Sequence, residues 1–297
     1  MTTPHRYSGI LTAVPTPLNK DLKVEVAPLA AHVKRLAAAG TEGVVPLGGT
    51  GEYTSLSARQ RLEVVECALE AGAGKLHVIP GILSPGIGDA IDNAKAFVAA
   101  GAKALMVVTP YYFRPTQDGI IEYFKRFSDA VDADIILYEI PYRTGVALQY
   151  QTVDRLADMT RVVGIKACNP DLAQQMRVAE LAKSKLAILT GEEDVLPLHV
   201  AMGAVGAVIS SSNIIPKQWA RVLRLAMDGK LAESMALHAS LRPLIDAIFA
   251  EPNPAPLKAA MDIMGWGMGD VLPPLLPASA PLRDRLAKVI PSLLERE

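Results

Sequence analysis

The stretch Val162-Val163-Gly164-Ile165-Lys166-Ala167-Cys168 contains an apolar run that ends abruptly at a lysine. A continuous apolar run rich in β-branched residues is typical of a strand buried on both faces. A lysine at the end of such a strand can have its amine partly inside the protein, where desolvation lowers the pKa and frees a nucleophile. Such an amine can form a Schiff base with a ketone. Taken alone, the stretch is better explained by an ordinary lysine that ends the strand and extends its side chain to water than by a Schiff-base lysine.

The composition limits the classes of protein to which the chain can belong. Its 297 residues, half of them hydrophobic and 21% charged, are enough for one large α/β domain with an appendage, or for two domains. The net charge is −1 and no basic run is present, so the electrostatic signature of nucleic-acid binding is missing. No apolar stretch is long and uninterrupted enough to span a bilayer. Nucleic-acid and membrane partners are therefore not expected.

The N-terminal segment and the cysteines indicate the cellular setting. The first 17 residues contain no long apolar region before their prolines, so a secretion signal is not expected. Cys67 and Cys168 are too few and too far apart for a metal-type spacing or a disulfide framework. These features predict a cytoplasmic protein.

Outward from Val162, the chain repeats one pattern of an apolar strand followed by a helical segment. The predicted strands lie at residues 9–14, 43–47, 76–81, 104–108, 134–138, 162–166, 186–189 and 207–210. Strands that alternate with helices predict a parallel sheet. Eight such units over a span near the usual length of about 250 residues favour a closed (β/α)₈ TIM barrel over an open doubly wound sheet.

After Gly229 the pattern changes to helices alone, predicted at residues 231–249, 256–264 and 282–294. The sequence therefore predicts two parts. Residues 1–228 form the α/β barrel and carry the active site. Residues 229–297 form a helical C-terminal appendage.

In this barrel the active-site residues lie at the carboxyl ends of the strands. Nine polar side chains occupy the predicted strand ends: Thr50, Thr109, Tyr111, Tyr112, Tyr138, Arg143, Lys166, Glu192 and Ser210. Lys166 therefore lies at a functional position, which raises the weight of the catalytic interpretation.

Several of these residues allow two interpretations. The turn Gly48-Gly49-Thr50-Gly51-Glu52 can direct backbone N–H groups at an anion, or it is only a tight turn that requires positive φ. Its spacing matches neither a dinucleotide fingerprint nor a phosphate loop. Tyr138 can exchange a proton at a reacting carbonyl, or it is a core tyrosine. Arg143 can bind a carboxylate or phosphate, or it is a solvated loop charge. The five scattered histidines form no ligand pair, so no metal is expected.

Six motifs follow one another in a characteristic order. They are G-G-T-G-E at residues 48–52, P-Y-Y-x-R-P-T-Q at 110–117, Y-E-I-P-Y-R-T-G at 138–145, G-I-K-A at 164–167, T-G-E-E-D at 190–194 and N-P-x-P-x-K-A-A at 253–260. The ordered set resembles the dihydrodipicolinate synthase/N-acetylneuraminate lyase superfamily over nearly the whole chain. The resemblance implies a class I Schiff-base enzyme on a (β/α)₈ barrel, without metal or other cofactor. It also implies a homotetramer built as a dimer of dimers.

The resemblance assigns a role to each matching position. It implies that Lys166 forms the imine with pyruvate or another 2-oxo acid, that Gly49 and Thr50 hold its carboxylate, and that Tyr138 is the general acid and base. Arg143 matches the arginine that meets the carboxylate of aspartate semialdehyde, and Tyr112 matches a tyrosine inserted into a neighbouring subunit's site. Gly191 and Ile209 match backbone positions that line the pocket.

The implied reaction is the condensation of pyruvate with L-aspartate 4-semialdehyde, a step of lysine and diaminopimelate biosynthesis. The alternatives are a 2-oxo-3-deoxy sugar-acid aldolase or dehydratase and an N-acetylneuraminate lyase-like enzyme, all with the same lysine imine. A non-catalytic sensor is disfavoured because Lys166, Tyr138 and Thr50 are all present.

The sequence departs from the synthase pattern at two places. Gly49 replaces a hydroxyl residue that normally links two tyrosines in a proton relay, and a glycine here resembles some sugar-acid dehydratases. Tyr111, Tyr112 and Arg143 nevertheless disfavour a plain dehydratase.

The second departure concerns feedback inhibition by lysine. The polar side chains that accompany this inhibition in the superfamily are replaced here by Tyr53, Ala58 and Pro85, with Asp89 beside them. We therefore expect millimolar lysine to leave the activity unchanged, and inhibition in such an assay would contradict this prediction.

Overall fold

The computed structural model describes residues 5–294. Nine short strands lie within this range: β1 (Gly9–Ala13), β2 (Gly43–Val45), β3 (His77–Val78), β4 (Gly81–Ile82), β5 (Ala104–Val108), β6 (Asp134–Glu139), β7 (Val162–Ala167), β8 (Ala187–Thr190) and β9 (Gly206–Ile209). All their pairings are parallel. The strands are confirmed where they were expected, although the third is divided into β3 and β4.

The α-helices of the same range follow the predicted segments closely. They are α1 (Val26–Ala38), α2 (Ala58–Gly72), α3 (Ile87–Ala99), α4 (Gln117–Ala130), α5 (Pro141–Thr144), α6 (Tyr150–Met159), α7 (Leu172–Ala182), α8 (Leu196–Met202), α9 (Pro216–Met227), α10 (Leu231–Ile248), α11 (Ala255–Ile263) and α12 (Ala280–Leu294). The single turn α5 was not predicted. It begins at Pro141 and is followed by Gly145, which has φ of 74°.

The divided third strand closes the sheet into a barrel. β3 pairs with β2, whereas β4 pairs with β5. The residues between them continue both pairings, because Ile79 N–H donates to the Val44 carbonyl and Met106 N–H donates to the Pro80 carbonyl, each at 2.9 Å. Proline has no N–H to donate, which accounts for the interruption at Pro80. The strand order therefore returns to its start, and the (β/α)₈ barrel is confirmed.

Alternate side chains of each strand enter different layers of the core. One cluster fills the barrel interior and includes Leu11, Val45, Met106, Ile136, Leu189 and Val208. A second cluster lies between the sheet and the surrounding helices and includes Leu105, Ile135 and Leu137. This packing leaves the carboxyl edge of the barrel for polar side chains.

The C-terminal helices pack on the last units of the barrel. Ile10 of β1, Ile209 of β9 and Trp219 of α9 share one hydrophobic cluster with Leu244 of α10 and Leu286 of α12. The division into two domains after residue 228 stays a prediction. Residues 1–4 of the first predicted domain and 295–297 of the second lie outside the described residues. Within residues 5–294, no helix combines the length and the apolar character needed to cross a membrane.

Candidate active site

Lys166 lies inside the barrel mouth rather than at its surface. It belongs to β7, where it pairs in register with Tyr138 of β6 and Leu189 of β8. The side chain is 8% exposed, and burial lowers the pKa of its amine. The amine nitrogen lies 4.3 Å from the centre of the Tyr138 ring. The structure thus excludes the interpretation in which Lys166 extends to water.

Tyr138 is buried beside this amine, and its burial raises the pKa of the phenol. The nearby Arg143 lowers this pKa by a smaller amount. The phenol is therefore protonated at neutral pH and is available as a proton donor next to Lys166.

Cys168, two residues after the lysine, is also buried, and burial raises the pKa of its thiol to about 12. It is consequently a neutral thiol at neutral pH. Among the side chains at this position, the lysine amine is the better nucleophile.

The glycine-rich turn leaves two backbone donors for an anion. Gly51 N–H donates to the Gly48 carbonyl at 3.1 Å, and Glu52 N–H donates to the Gly49 carbonyl at 3.2 Å. No hydrogen bond within residues 5–294 uses the N–H groups of Gly49 or Thr50. Successive free N–H groups in a turn form a concave site for a carboxylate.

Thr50 is held by a chain of buried polar groups. Its hydroxyl lies 3.0 Å from the Ser210 hydroxyl and accepts a hydrogen bond of 3.0 Å from the Asn253 side chain. Ser210 is fixed in turn, because its N–H donates to the buried carboxylate of Glu193 at 2.6 Å. The amide oxygen of Asn253 is buried and has no partner among the described residues. It is therefore a free acceptor in the wall of the site.

A buried ion pair anchors this turn to the C-terminal helices. Lys258 of α11 donates to the Glu52 carboxylate at 2.7 Å and to the Asp270 carbonyl at 2.6 Å, and both charged side chains are 1% exposed. The other Glu52 oxygen accepts from Leu272 N–H at 2.6 Å. Glu52 has φ of 56°, a conformation that L residues rarely adopt without support. The sequence motif contained Lys258, but nothing in it indicated this partner.

Arg143 occupies the space that the missing hydroxyl residue would take. A Cβ atom built on Gly49 would lie 2.7 Å from Nη1 of Arg143. Arg143 forms no salt bridge within residues 5–294. The guanidinium is therefore free to meet an anionic group at this place.

Two cavities open at the carboxyl edge. A small one of ≈ 50 Å³ is lined by Lys166, Thr50 and Gly191. A larger one of ≈ 380 Å³ lies beside it. Gly49, Tyr138, Ile140, Arg143 and Asn253 line both.

Gly191 gives the lysine side chain its room. A Cβ atom at residue 191 would lie 2.1 Å from the Cys168 sulfur and 2.7 Å from Cε of Lys166. Real Cβ atoms do not approach other atoms so closely, so Gly191→Ala must displace the side chains of both Cys168 and Lys166.

We expect Gly191→Ala to lower kcat/KM by about 10²-fold, because a displacement of about 1 Å at a reacting group has an effect of that size. Steady-state kinetics checks this. Gly88→Ala on α3 is the matched control, since its Cβ would meet nothing within 4 Å. Equal kinetics for the two variants would contradict the role of Gly191.

Two predicted site residues are not brought to this cavity. Tyr112 is 86% exposed and lines neither cavity of its own chain. Its predicted role in a neighbouring subunit therefore stays a prediction. The Ile209 side chain packs in the outer cluster, and the cavity is lined by Val208 and Ser210 instead. Only the backbone of Ile209 remains as a predicted contact.

Glu139, next to Tyr138, is a buried carboxyl that sequence analysis missed. It accepts hydrogen bonds from Leu148 N–H at 3.0 Å and from the Asn169 side chain at 2.8 Å. Burial raises the pKa of Glu139 to about 7, and the two hydrogen bonds lower this pKa by a smaller amount. The folded state therefore binds this proton more tightly than the unfolded state.

This difference predicts that the stability contributed by Glu139 is complete below pH 4.5 and falls as the pH rises through about 7. Glutamine can accept the same two hydrogen bonds without a charge. We expect Glu139→Gln to be more stable than the native chain by about 1–3 kcal/mol at pH 8, with little difference at pH 4.5. Urea unfolding at both pH values measures this, and a gain independent of pH would contradict it.

Within residues 5–294, no group of three or more histidine, cysteine, aspartate or glutamate side chains is placed to hold a metal ion.

A (β/α)₈ barrel with a buried lysine, a facing tyrosine and a glycine-rich turn with free N–H groups at its carboxyl edge defines a class I lyase. The model of the dihydrodipicolinate synthetase family matches residues 6–293 of the chain. The chain belongs to this family.

Individual relatives match nearly the whole length of the chain. The 4-hydroxy-tetrahydrodipicolinate synthase of Methanothrix thermoacetophila is 35% identical, over 95% of this chain and 97% of the relative. The dihydrodipicolinate synthase structure from Thermotoga maritima is 33% identical with a TM-score of 0.93, covering 97% of this chain and 99% of that one. The Acinetobacter baumannii enzyme, solved in complex with pyruvate, is 30% identical with a TM-score of 0.92, over 96% and 98% of the two chains.

Proposed function

We propose that the chain condenses pyruvate with L-aspartate 4-semialdehyde, the 4-hydroxy-tetrahydrodipicolinate synthase reaction. The observation that carries the proposal is the buried amine of Lys166, paired in register with Tyr138 at the mouth of the barrel. The names of the relatives and the pyruvate complex of one of them support the choice of substrates.

The first half of the reaction builds a nucleophile on the lysine. The Lys166 amine attacks the keto carbon of pyruvate, and loss of water gives an iminium ion. The face of the Tyr138 ring stabilises this cation. The departing water takes a proton from the Tyr138 phenol. The resulting phenolate then accepts a proton from the methyl group, which becomes an enamine carbon as the positive nitrogen withdraws electrons.

The second half forms the carbon–carbon bond. The enamine carbon attacks the aldehyde carbon, and the aldehyde oxygen takes a proton from the Tyr138 phenol. The amino group of the semialdehyde then attacks the iminium carbon and gives up a proton to the Tyr138 phenolate. Departure of the lysine amine closes the ring, so the water released on imine formation is the net by-product. Both reactants are held in one site, which removes much of the entropic barrier.

The two carboxylates of the reactants have separate binding positions in this proposal. The free N–H groups of Gly49 and Thr50 hold the pyruvate carboxylate close to Lys166. Arg143, which lines both cavities, meets the carboxylate of the semialdehyde. Because Gly49 has no hydroxyl, a proton relay from Tyr138 would need water or would be absent.

A sugar-acid aldolase or dehydratase is the second candidate, and Gly49 is the observation that favours it. A panel of 2-oxo-3-deoxy acids, assayed beside pyruvate plus the semialdehyde, separates the two. Turnover confined to the panel would contradict the synthase proposal.

Borohydride trapping tests the mechanism that both candidates share. Incubation with pyruvate and borohydride should leave a reduced adduct on Lys166, located by mass mapping of peptides. An unmodified Lys166, under conditions that label a known family member, would overturn the imine mechanism with pyruvate.

The proposal includes a cytoplasmic homotetramer, a dimer of dimers. Tyr112 and Phe113 support self-association, because they form an exposed aromatic pair with ring centres 5.3 Å apart. Sedimentation of the purified chain measures the oligomeric state. The predicted absence of lysine inhibition stays part of the proposal.

A further inference from the structure

The segment that carries Tyr142 and Arg143 is closed into a loop by a buried side chain at its own start. Glu139 is the last residue of β6, and its Oε1 atom accepts a hydrogen bond of 3.0 Å from Leu148 N–H, nine residues later. Glu139 and Leu148 are both buried, so this bond lies inside the protein and not at its surface. Residues 139–148, here called the arginine loop, are therefore fixed at both ends.

The same carboxylate oxygen ties the arginine loop to the strand of the reactive lysine. Asn169 lies just beyond the end of β7, and its side chain donates to Glu139 Oε1 at 2.8 Å. Asn169 is itself held in place, because its Oδ1 accepts from Asp171 N–H at 2.9 Å and its carbonyl accepts from the Gln175 side chain at 3.2 Å. Glu139 therefore fixes the arginine loop relative to the strand that carries Lys166.

The far end of the arginine loop has a second tie. Gln174 of α7 donates from its side chain to the Leu148 carbonyl at 2.6 Å, so both backbone polar groups of Leu148 are engaged. By contrast, the guanidinium of Arg143 forms no salt bridge within residues 5–294. Its place beside Gly49 is therefore set by the backbone of the loop that carries it.

We propose that Glu139 is a positioning residue for the second half of the reaction, because it holds Arg143 where that residue meets the carboxylate of the semialdehyde. This inference rests on the proposed function. Glu139 lines neither cavity, so it acts through Arg143 and not on a reactant. Its loss should weaken binding of the semialdehyde and spare pyruvate, whose carboxylate is held by the glycine-rich turn.

Glu139→Met tests the positioning role, since it removes the acceptor at similar length and leaves the two buried donors without a partner. We expect KM for the semialdehyde to rise about tenfold or more, because a displacement of about 1 Å has effects up to 10²-fold. KM for pyruvate and borohydride labelling of Lys166 should stay within about twofold of native. Glu139→Gln keeps an acceptor oxygen, so its KM for the semialdehyde should stay within about threefold of native.

Gln174→Ala supplies a milder test that does not depend on the folding of Glu139→Met. It removes the second tie at a half-buried position, and we expect KM for the semialdehyde to rise about threefold with KM for pyruvate unchanged. Gln151→Ala, on the exposed face of α6, is the matched control and should leave both KM values unchanged.

Four results overturn the positioning role: a native KM for the semialdehyde in a folded Glu139→Met chain, equal rises of both KM values, a Glu139→Gln chain as impaired as Glu139→Met, or a Gln174→Ala chain no different from Gln151→Ala. The native chain separates this failure from that of the proposed function. If it is labelled at Lys166 and turns over the semialdehyde, only the role of Glu139 is wrong. If it does not turn over the semialdehyde, the proposed function and this inference are both wrong.

Discussion

Replacement of Lys166 by methionine is expected to lower kcat/KM at least about 10³-fold, equivalent to about 4 kcal/mol of lost transition-state stabilisation. The variant has no amine with which to form the imine, so the covalent route is closed. Pyruvate and borohydride should leave no adduct at residue 166. Methionine has a similar length, and it brings no charge into a position that is 8% exposed. The fold should therefore persist.

Lys95→Met on α3 is the matched control, since Lys95 is exposed and lies outside both cavities. It should retain native kinetics and native labelling. Thermal unfolding of both variants shows whether the loss at residue 166 is chemical. Residual activity above a hundredth of the native value in a folded Lys166→Met chain would rule out the imine as the main route.

Loss of the buried partner of Glu52 is the second large effect. Lys258→Met leaves the Glu52 carboxylate buried with one donor, the N–H of Leu272. Removing one member of a buried ion pair costs about 3–5 kcal/mol, because the other charge stays uncompensated. Urea unfolding should show this decrease. The glycine-rich turn also loses its anchor, so KM for pyruvate should rise more than kcat falls.

Two further variants identify the cause of the decrease. Lys288→Met, on the exposed face of α12, should change the free energy of unfolding by no more than about 0.5 kcal/mol. The double variant Glu52→Gln and Lys258→Met removes both charges and should recover at least half of the lost stability. If the double variant is no more stable than Lys258→Met alone, the decrease does not come from an uncompensated carboxylate.

The repeated pattern of strand and helix was enough to predict the barrel, because each strand carries its own apolar run and each helix its own apolar stripe. The pattern did not predict the division at Pro80, since the missing N–H matters only when a neighbouring strand is known. The helix α5 was missed for a related reason. Its four residues are too few to show a period, although they fix the backbone around Arg143.

The sequence by itself placed Lys166 at the functional end of a strand and supplied its partners as residue types: a tyrosine, an arginine and a glycine-rich turn. Only the tertiary structure decided which groups meet. The register of β6 and β7 sets Tyr138 beside Lys166. Folding brings Lys258 to Glu52, which is 206 residues away in the sequence, and it brings Arg143 into the space beside Gly49. Such contacts depend on distances between separate elements, and no local periodicity encodes those distances.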